Sequence, residues 1–211
     1  MNFFGHTVLA VKRSADPAFV LGSMLPDFAT MIRARSPHTE HADIDSGMRF
    51  HWRTDEVFHR SPAFLTLTHQ AVGWLSARGV RSGSALAVAH VGVEILLDAA
   101  LSGDDCAQRA YRAALEGAAQ NDLGGYVGWV SDEERARFAA LRGRLLARGA
   151  ITGDITADTV AERLRSALAD RPRLSLDDTS VPVVRDWALG ARAEVSACAG
   201  PLVQEVAAQL L

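Results

Sequence analysis

Between Leu86 and Leu101 the chain reads LAVAHVGVEILLDAAL, in which every residue except His90, Glu94 and Asp98 is apolar or glycine. A helix of that composition is buried around most of its circumference, so it needs neighbours on nearly every side. The three ionisable residues recur every four positions and stack into a stripe that drifts by only ~40° per step. An ionised carboxylate buried without a partner is prohibitively costly. The stripe therefore either forms a thin wet edge or is paired, protonated or bound to metal. Asp98, near the helix end, is the member expected to face water.

The rest of the chain supplies the neighbours. Apolar residues recur with a period near 3.6 almost everywhere, and β-branched clusters such as Val181–Val184 lack the alternation of strands. Seven or eight helices are predicted. The first covers 16–33, with Pro17 in its first turn and Pro26 expected to kink or divide it. Others follow over 45–59, from Ser61-Pro62 to about 79, and over 84–101 and 104–120. Ser131 and Glu134 form a capping-box signature for a helix over 132–148. The remainder are expected over 157–169 and 183–198, with a short tail helix after Pro201. Short loops and the absence of an internal repeat predict one all-α domain, a helical bundle over 1–211. Its site is built mainly from 1–101, and 102–211 forms a packing layer.

Composition narrows the function classes. A formal net charge of −3 and a pI near 6.2 give no electrostatic footprint for nucleic acid or an anionic membrane. No run approaches ~20 unbroken apolar residues, and the early positive charges follow the apolar stretch, the wrong polarity for a signal peptide. The expected location is the cytoplasm. Cys106 and Cys198 are far apart and form no C-x-x-C pair, which predicts buried free thiols. The glycine-rich NDLGGYVG lacks the lysine and the strand–turn–helix setting of a phosphate loop.

Chemistry is concentrated in the histidines. His51, Asp55 and His59 follow at intervals of four, so on a helix they share one stripe and can converge on a cation. Imidazole and carboxylate suit zinc, iron or manganese, with carboxylate-rich sites favouring harder ions. A solvated polar face has the same pattern. His6 in NFFGHTVLA and Asp27 after Leu25-Pro26 are isolated polar residues in apolar surroundings, and each is a core or turn residue if not a ligand. Arg49 and Arg53 flank His51 and carry the guanidinium suited to gripping a phosphate. His38 and His41 share a polar loop, and His69 has no partner at helical spacing.

Three of these segments, NFFGH (2–6), LGSMLPDF (21–28) and GMRFHWRTDEVFHRSP (47–62), resemble in order and spacing the acyl carrier protein phosphodiesterases. Those proteins are in turn similar to the HD-type phosphohydrolases. The resemblance implies a divergent HD-like helical fold and a divalent metal, manganese first, with iron, zinc or magnesium as alternatives. The implied reaction is phosphodiester hydrolysis that releases phosphopantetheine from the serine of acyl carrier protein. His6, Asp27, His51 and Asp55 match the family's motif positions, and Glu94 falls at the acidic position of its later D-H-F-L helix. The chain departs from the pattern at Trp52, His59 and Ile95, and His90 stands one turn before Glu94.

The expected ligands are therefore His6, Asp27, His51, Asp55, His90 and Glu94. Asp55 or Glu94 would act as general base, His59 would orient a ligand or protonate the leaving group, and Arg53 and Arg49 would contact phosphate. Two other readings stay open: an HD-like hydrolase of another phosphoester such as a nucleotide, and a helical metal-binding or scaffold protein without turnover. The oligomeric state is not indicated.

Overall fold

The computed structural model describes residues 1–118, 123–149 and 153–211. Among them every regular element is helical, apart from one isolated antiparallel bridge between His38 and Gly128. The helices are α1 (Phe3–Arg13), α2 (Pro17–Met31), α3 (Ala42–Phe58), α4 (Pro62–Ser76), α5 (Ser82–Leu101), α6 (Asp105–Gly117), α7 (Asp132–Arg148), α8 (Ala157–Leu168) and α9 (Ser180–Leu210), with a 3-10 turn at Gly124–Tyr126. The all-α class read from the periodicity is the class observed.

Several ends are set by the capping chemistry visible in the sequence. Asp16 accepts from the amides of Ala18 and Phe19, with Pro17 at the first helical position. Ser61 accepts from Phe64 N ahead of α4, and Ser131 accepts from Glu134 N ahead of α7. Glu134 reaches back to Val130 N instead of Ser131 N, a variant of the expected box.

Three elements differ from expectation. α1 is absent from the predicted helices: Asn2 makes no side-chain cap and the first turn holds no acid, so only Lys12 and Arg13 in the last turn mark it as a helix. α2 is not divided at Pro26, and α9 runs through Pro201 without a separate tail helix. Proline removes one amide donor from each ladder. In α2 every residue from Ala18 to Ala29 except Asp27 is buried, so packing sustains the helix where local propensity would end it. The predicted helix over 104–120 ends at Gly117 in the described chain, and 119–122 lie outside it.

The chain forms two compact units that interleave in sequence. The first comprises Met1–Val57, Ser102–Ile151 and Ala207–Leu211; the second comprises Phe58–Leu101 and Thr152–Val206. Residues after 101 therefore serve both. In the first unit α1, α2 and α6 pack on one another, and α7 lies against α2 and α6. Its core includes Phe4, Leu9, Leu21, Met24, Leu25, Phe28, Ile44 and Leu115, all fully buried. Phe3 packs on Phe28 and Tyr111 with ring centroids 5.6 and 6.0 Å apart.

One close approach in this unit sets the position of the site. α2 and α3 meet at Gly22 and Gly47, so closely that a Cβ on Gly22 would lie 2.1 Å from Ile44 O and one on Gly47 would lie 2.2 Å from Phe19 O. Only bare backbones pass at that separation. His51, one turn beyond Gly47, is thereby carried against the backbone of Ser23.

In the second unit α4 packs along α5, and α8 also packs on α5. Phe58, Leu75, Leu97 and Leu164 are fully buried there, and Trp187 of α9 lies over Gly92. α5 is long and apolar enough to cross a membrane by length and composition, yet 61% of that window is buried within the protein. Its polar stripe also behaves differently from expectation at one end. The His90 side chain is 48% exposed and that of Glu94 13%, whereas Asp98 is buried. The drift of the stripe by ~40° per step turns Asp98 inward instead of leaving it wet.

The cysteines also differ from expectation. Cys106 is exposed and Cys198 half-buried, both as free thiols. Each sits one position away from a buried alanine, Ala107 and Ala199, and so is rotated ~100° off the apolar face.

Candidate metal centre

Four of the expected ligands converge inside the first unit. α1 brings His6, α2 brings Asp27, and α3 brings His51 and Asp55. The His6 and His51 rings stack with centroids 3.8 Å apart and planes inclined by 23°. His6 Nε2 faces Asp55 Oδ1 at 3.2 Å and Asp27 Oδ2 at 4.0 Å. His51 Nε2 faces Asp55 Oδ2 at 3.4 Å. One ligand atom each from His6, Asp27 and His51 lies within 4.8 Å of the others. The amino group of Met1 donates to Asp55 Oδ1 at 2.7 Å.

The imidazoles form the floor of this cluster and the carboxylates form its rim. His6 and His51 are buried, with side chains 0% and 3% exposed, while Asp27 and Asp55 retain 22% and 29%. Solvent reaches the group from the carboxylate side.

The tautomer of His51 follows from its second nitrogen. Nδ1 lies 2.9 Å from the carbonyl oxygen of Ser23. A carbonyl only accepts, so Nδ1 carries the hydrogen, and in the neutral ring the lone pair sits on Nε2, aimed at the carboxylates. An imidazole whose far nitrogen donates to a backbone carbonyl is oriented as metal-binding histidines are.

The electrostatics of the group follow from burial and from the close mutual approach of its members. Burial, followed by the charge of the adjoining His51, pushes His6 down to about 3, which keeps its ring neutral. Burial also opposes a charge on His51, but Asp55 opposite Nε2 and the nearby charge of Asp27 outweigh it and raise the ring above its ordinary value. Burial works against ionisation of Asp55 as well, yet the imidazoles of His51 and His6 opposite its oxygens hold it well below the usual carboxylate range. The cluster thus presents two carboxylates balanced by a proton on His51 and by the Met1 amino group.

The donor set fits a divalent ion. Bonds of ~2.0–2.2 Å place neighbouring ligand atoms roughly 3.0–3.5 Å apart, depending on coordination number. The 3.2 and 3.4 Å separations about Asp55 fall in that range. His6 Nδ1 is buried without a hydrogen-bond partner among the described residues, so nothing on its far side competes for the ring's orientation.

Of the other expected residues, His90 and Glu94 group with His59 within the second unit. Arg49 pairs with Asp45, and Arg53 pairs with Glu56 at 3.1 Å, on the exposed side of α3. Positions 49 and 53 are each two residues from a cluster member, ~200° around the helix, so they face away from His51 and Asp55. His69 is exposed, and His38 lies against Gly128 in the bridge. Sequence reasoning misses the Ser23 carbonyl and the glycine crossing, because neither backbone groups nor close approach announce themselves in residue type.

Comparison with family models, curated proteins and solved structures finds no match to this chain.

Proposed function

We propose that the chain is a divalent-metal-dependent phosphohydrolase acting at the His6–Asp27–His51–Asp55 cluster, similar to the acyl carrier protein phosphodiesterases. The observation that carries this reading is the orientation of His51, whose Nδ1 is engaged by the Ser23 carbonyl so that Nε2 faces the Asp55 carboxylate beside a second, neutral imidazole. The four residues gathered here are those that match the resemblance's motif positions. An HD-like relationship and a cytoplasmic location belong to the same proposal.

Asp27 and Asp55 at the rim offer oxygen ligands to a divalent ion, which would add net positive charge for a phosphodiester where the Met1 amino group and a protonated His51 only balance the two carboxylates. A bound divalent ion would lower the pKa of a water and offset charge developing on a phosphoryl oxygen. His6 and His51 hold the floor of the site rigid and exclude water from behind. Asp55, the more exposed carboxylate, would serve as general base through whichever oxygen a bound ion leaves disengaged, since Oδ1 faces His6 and Oδ2 faces His51. Manganese suits this mixed set of two imidazoles and two carboxylates.

The test uses purified protein reconstituted with manganese and two substrates, bis-p-nitrophenyl phosphate and holo-acyl carrier protein. Turnover of the first with conversion of the second to its apo form is the expected result. Turnover of the first alone moves the substrate to another phosphoester. One bound ion per cluster without turnover of either, or of a nucleotide phosphodiester, overturns the hydrolase reading in favour of a metal-binding protein.

The raised His51 value makes metal binding pH-dependent. The folded, metal-free ring keeps its proton above pH 6.5, and an entering ion must displace it. That proton stabilises the metal-free fold below pH 6.5, and the contribution is lost as pH rises through the folded value. Calorimetric titration at pH 6.5 in buffers of different ionisation enthalpy should therefore show release of about half a proton or more per ion. Affinity should weaken by up to ~10-fold per pH unit at lower pH. A binding enthalpy independent of the buffer would contradict this picture.

A further inference from the structure

We propose that His59, His90 and Glu94 form a second cation site, specific for a nitrogen-preferring transition ion such as zinc, within the second unit. Both imidazoles address the same carboxylate oxygen: His59 Nε2 and His90 Nε2 each lie 3.3 Å from Glu94 Oε1. The three ligand atoms all fall within 4.8 Å of one another. A tetrahedral ion with bonds of ~2.0–2.1 Å separates its ligand atoms by ~3.3 Å, which is the spacing observed.

The geometry is held before any ion arrives. The His59 and His90 rings stack with centroids 4.8 Å apart and planes inclined by 27°. Phe64 of α4 stands edge-on to both rings at 5.3 Å, and Phe58 adds a further edge to His59. Phe58 and Phe64 are themselves buried and packed together at 4.3 Å. Aromatic packing thus favours the ring orientations that hold the two Nε2 atoms toward Glu94, more firmly at His59 than at the half-exposed His90.

The donor set differs from that of the first cluster in the direction that matters for selectivity. Two imidazoles and a single carboxylate form a nitrogen-rich set, which suits zinc over manganese, magnesium or calcium. Exposure rises from Glu94 at 13% through His59 at 32% to His90 at 48%. The group therefore opens to solvent on the histidine side, and three protein ligands leave a fourth position there for water or a small anion. This differs from a role for His59 in orienting a ligand or protonating a leaving group.

Equilibrium dialysis of chelator-treated full-length protein against zinc reads the proposal directly. Two ions per chain are expected in the wild type. One should be lost in His90→Ala and in His59→Ala, and the other in His51→Ala, with helical circular dichroism unchanged in His90→Ala because that side chain is half exposed. Cobalt in place of zinc should give a visible d–d band that His90→Ala removes and His51→Ala retains. Uptake in the wild type that is unaffected by His90→Ala and His59→Ala, or a cobalt band that depends on His51 alone, overturns the second site. Neither result counts against the first cluster, whose failure would show as uptake insensitive to His51→Ala.

Discussion

Replacement of His51 by alanine is expected to remove the ion bound by the first cluster and to lower phosphodiester turnover by at least ~10²-fold. Loss of a group that merely orients a ligand costs 10–100-fold in affinity or activity, so loss of a ligand itself costs more. The substitution also leaves the Ser23 carbonyl without its donor and takes away the ring stacked on His6. A fall in melting temperature therefore accompanies the loss of metal, and His6→Ala separates the two effects. It removes a ligand while leaving the hydrogen bond between His51 and Ser23 in place. Equal losses of metal affinity in both variants identify shared ligation. Undiminished metal binding in His51→Ala would remove the basis for the proposed hydrolase.

Gly47→Ala is expected to be among the most destabilising single substitutions in the chain, at more than ~3 kcal/mol. The added methyl would lie 2.2 Å from Phe19 O and 2.9 Å from Ser23 N, both backbone atoms that no side-chain rotation can clear. α3 would have to move away from α2, and with it His51 from Ser23. Denaturant unfolding should show the loss of stability. In any fraction that still folds, metal affinity should fall although no ligand has been changed. Gly143→Ala is the control: no atom lies within 4 Å of a Cβ built there, and in a helix interior alanine gains up to ~1 kcal/mol over glycine. Similar stability for the two variants would mean that the helices can separate at the crossing without cost.

Parts of this arrangement are legible in the sequence for definite reasons. The bounds of α7 can be read because Ser131 and Arg148-Gly149 mark both ends with residues of known capping behaviour. The pairing of His51 with Asp55 is visible because both lie on one helix, where spacing alone fixes their relation. Spacing cannot show that His6 and Asp27 reach the same point, since that depends on how α1 and α2 pack. The stripe on α5 is readable at His90 and Glu94 but not at Asp98, because the position at which a drifting stripe passes beneath a neighbour is a tertiary property. Proximity in sequence draws Arg49 and Arg53 toward the site, whereas two residues along a helix place them on its far side. α1 escapes notice because it has apolar residues but no cap.

The bare crossing of α2 and α3 also yields a signature for recognising related chains when overall similarity has faded. A protein that assembles this cluster from the same two helices must carry glycine five residues before its counterpart of Asp27 and four before its counterpart of His51. Ligands can be exchanged for others of like chemistry, as histidine for aspartate, but no residue substitutes for a missing side chain. Scanning for the spaced pairs G-x4-D and G-x3-H-x3-D, after an isolated histidine in an apolar segment, would therefore select on geometry where residue-by-residue identity has been lost.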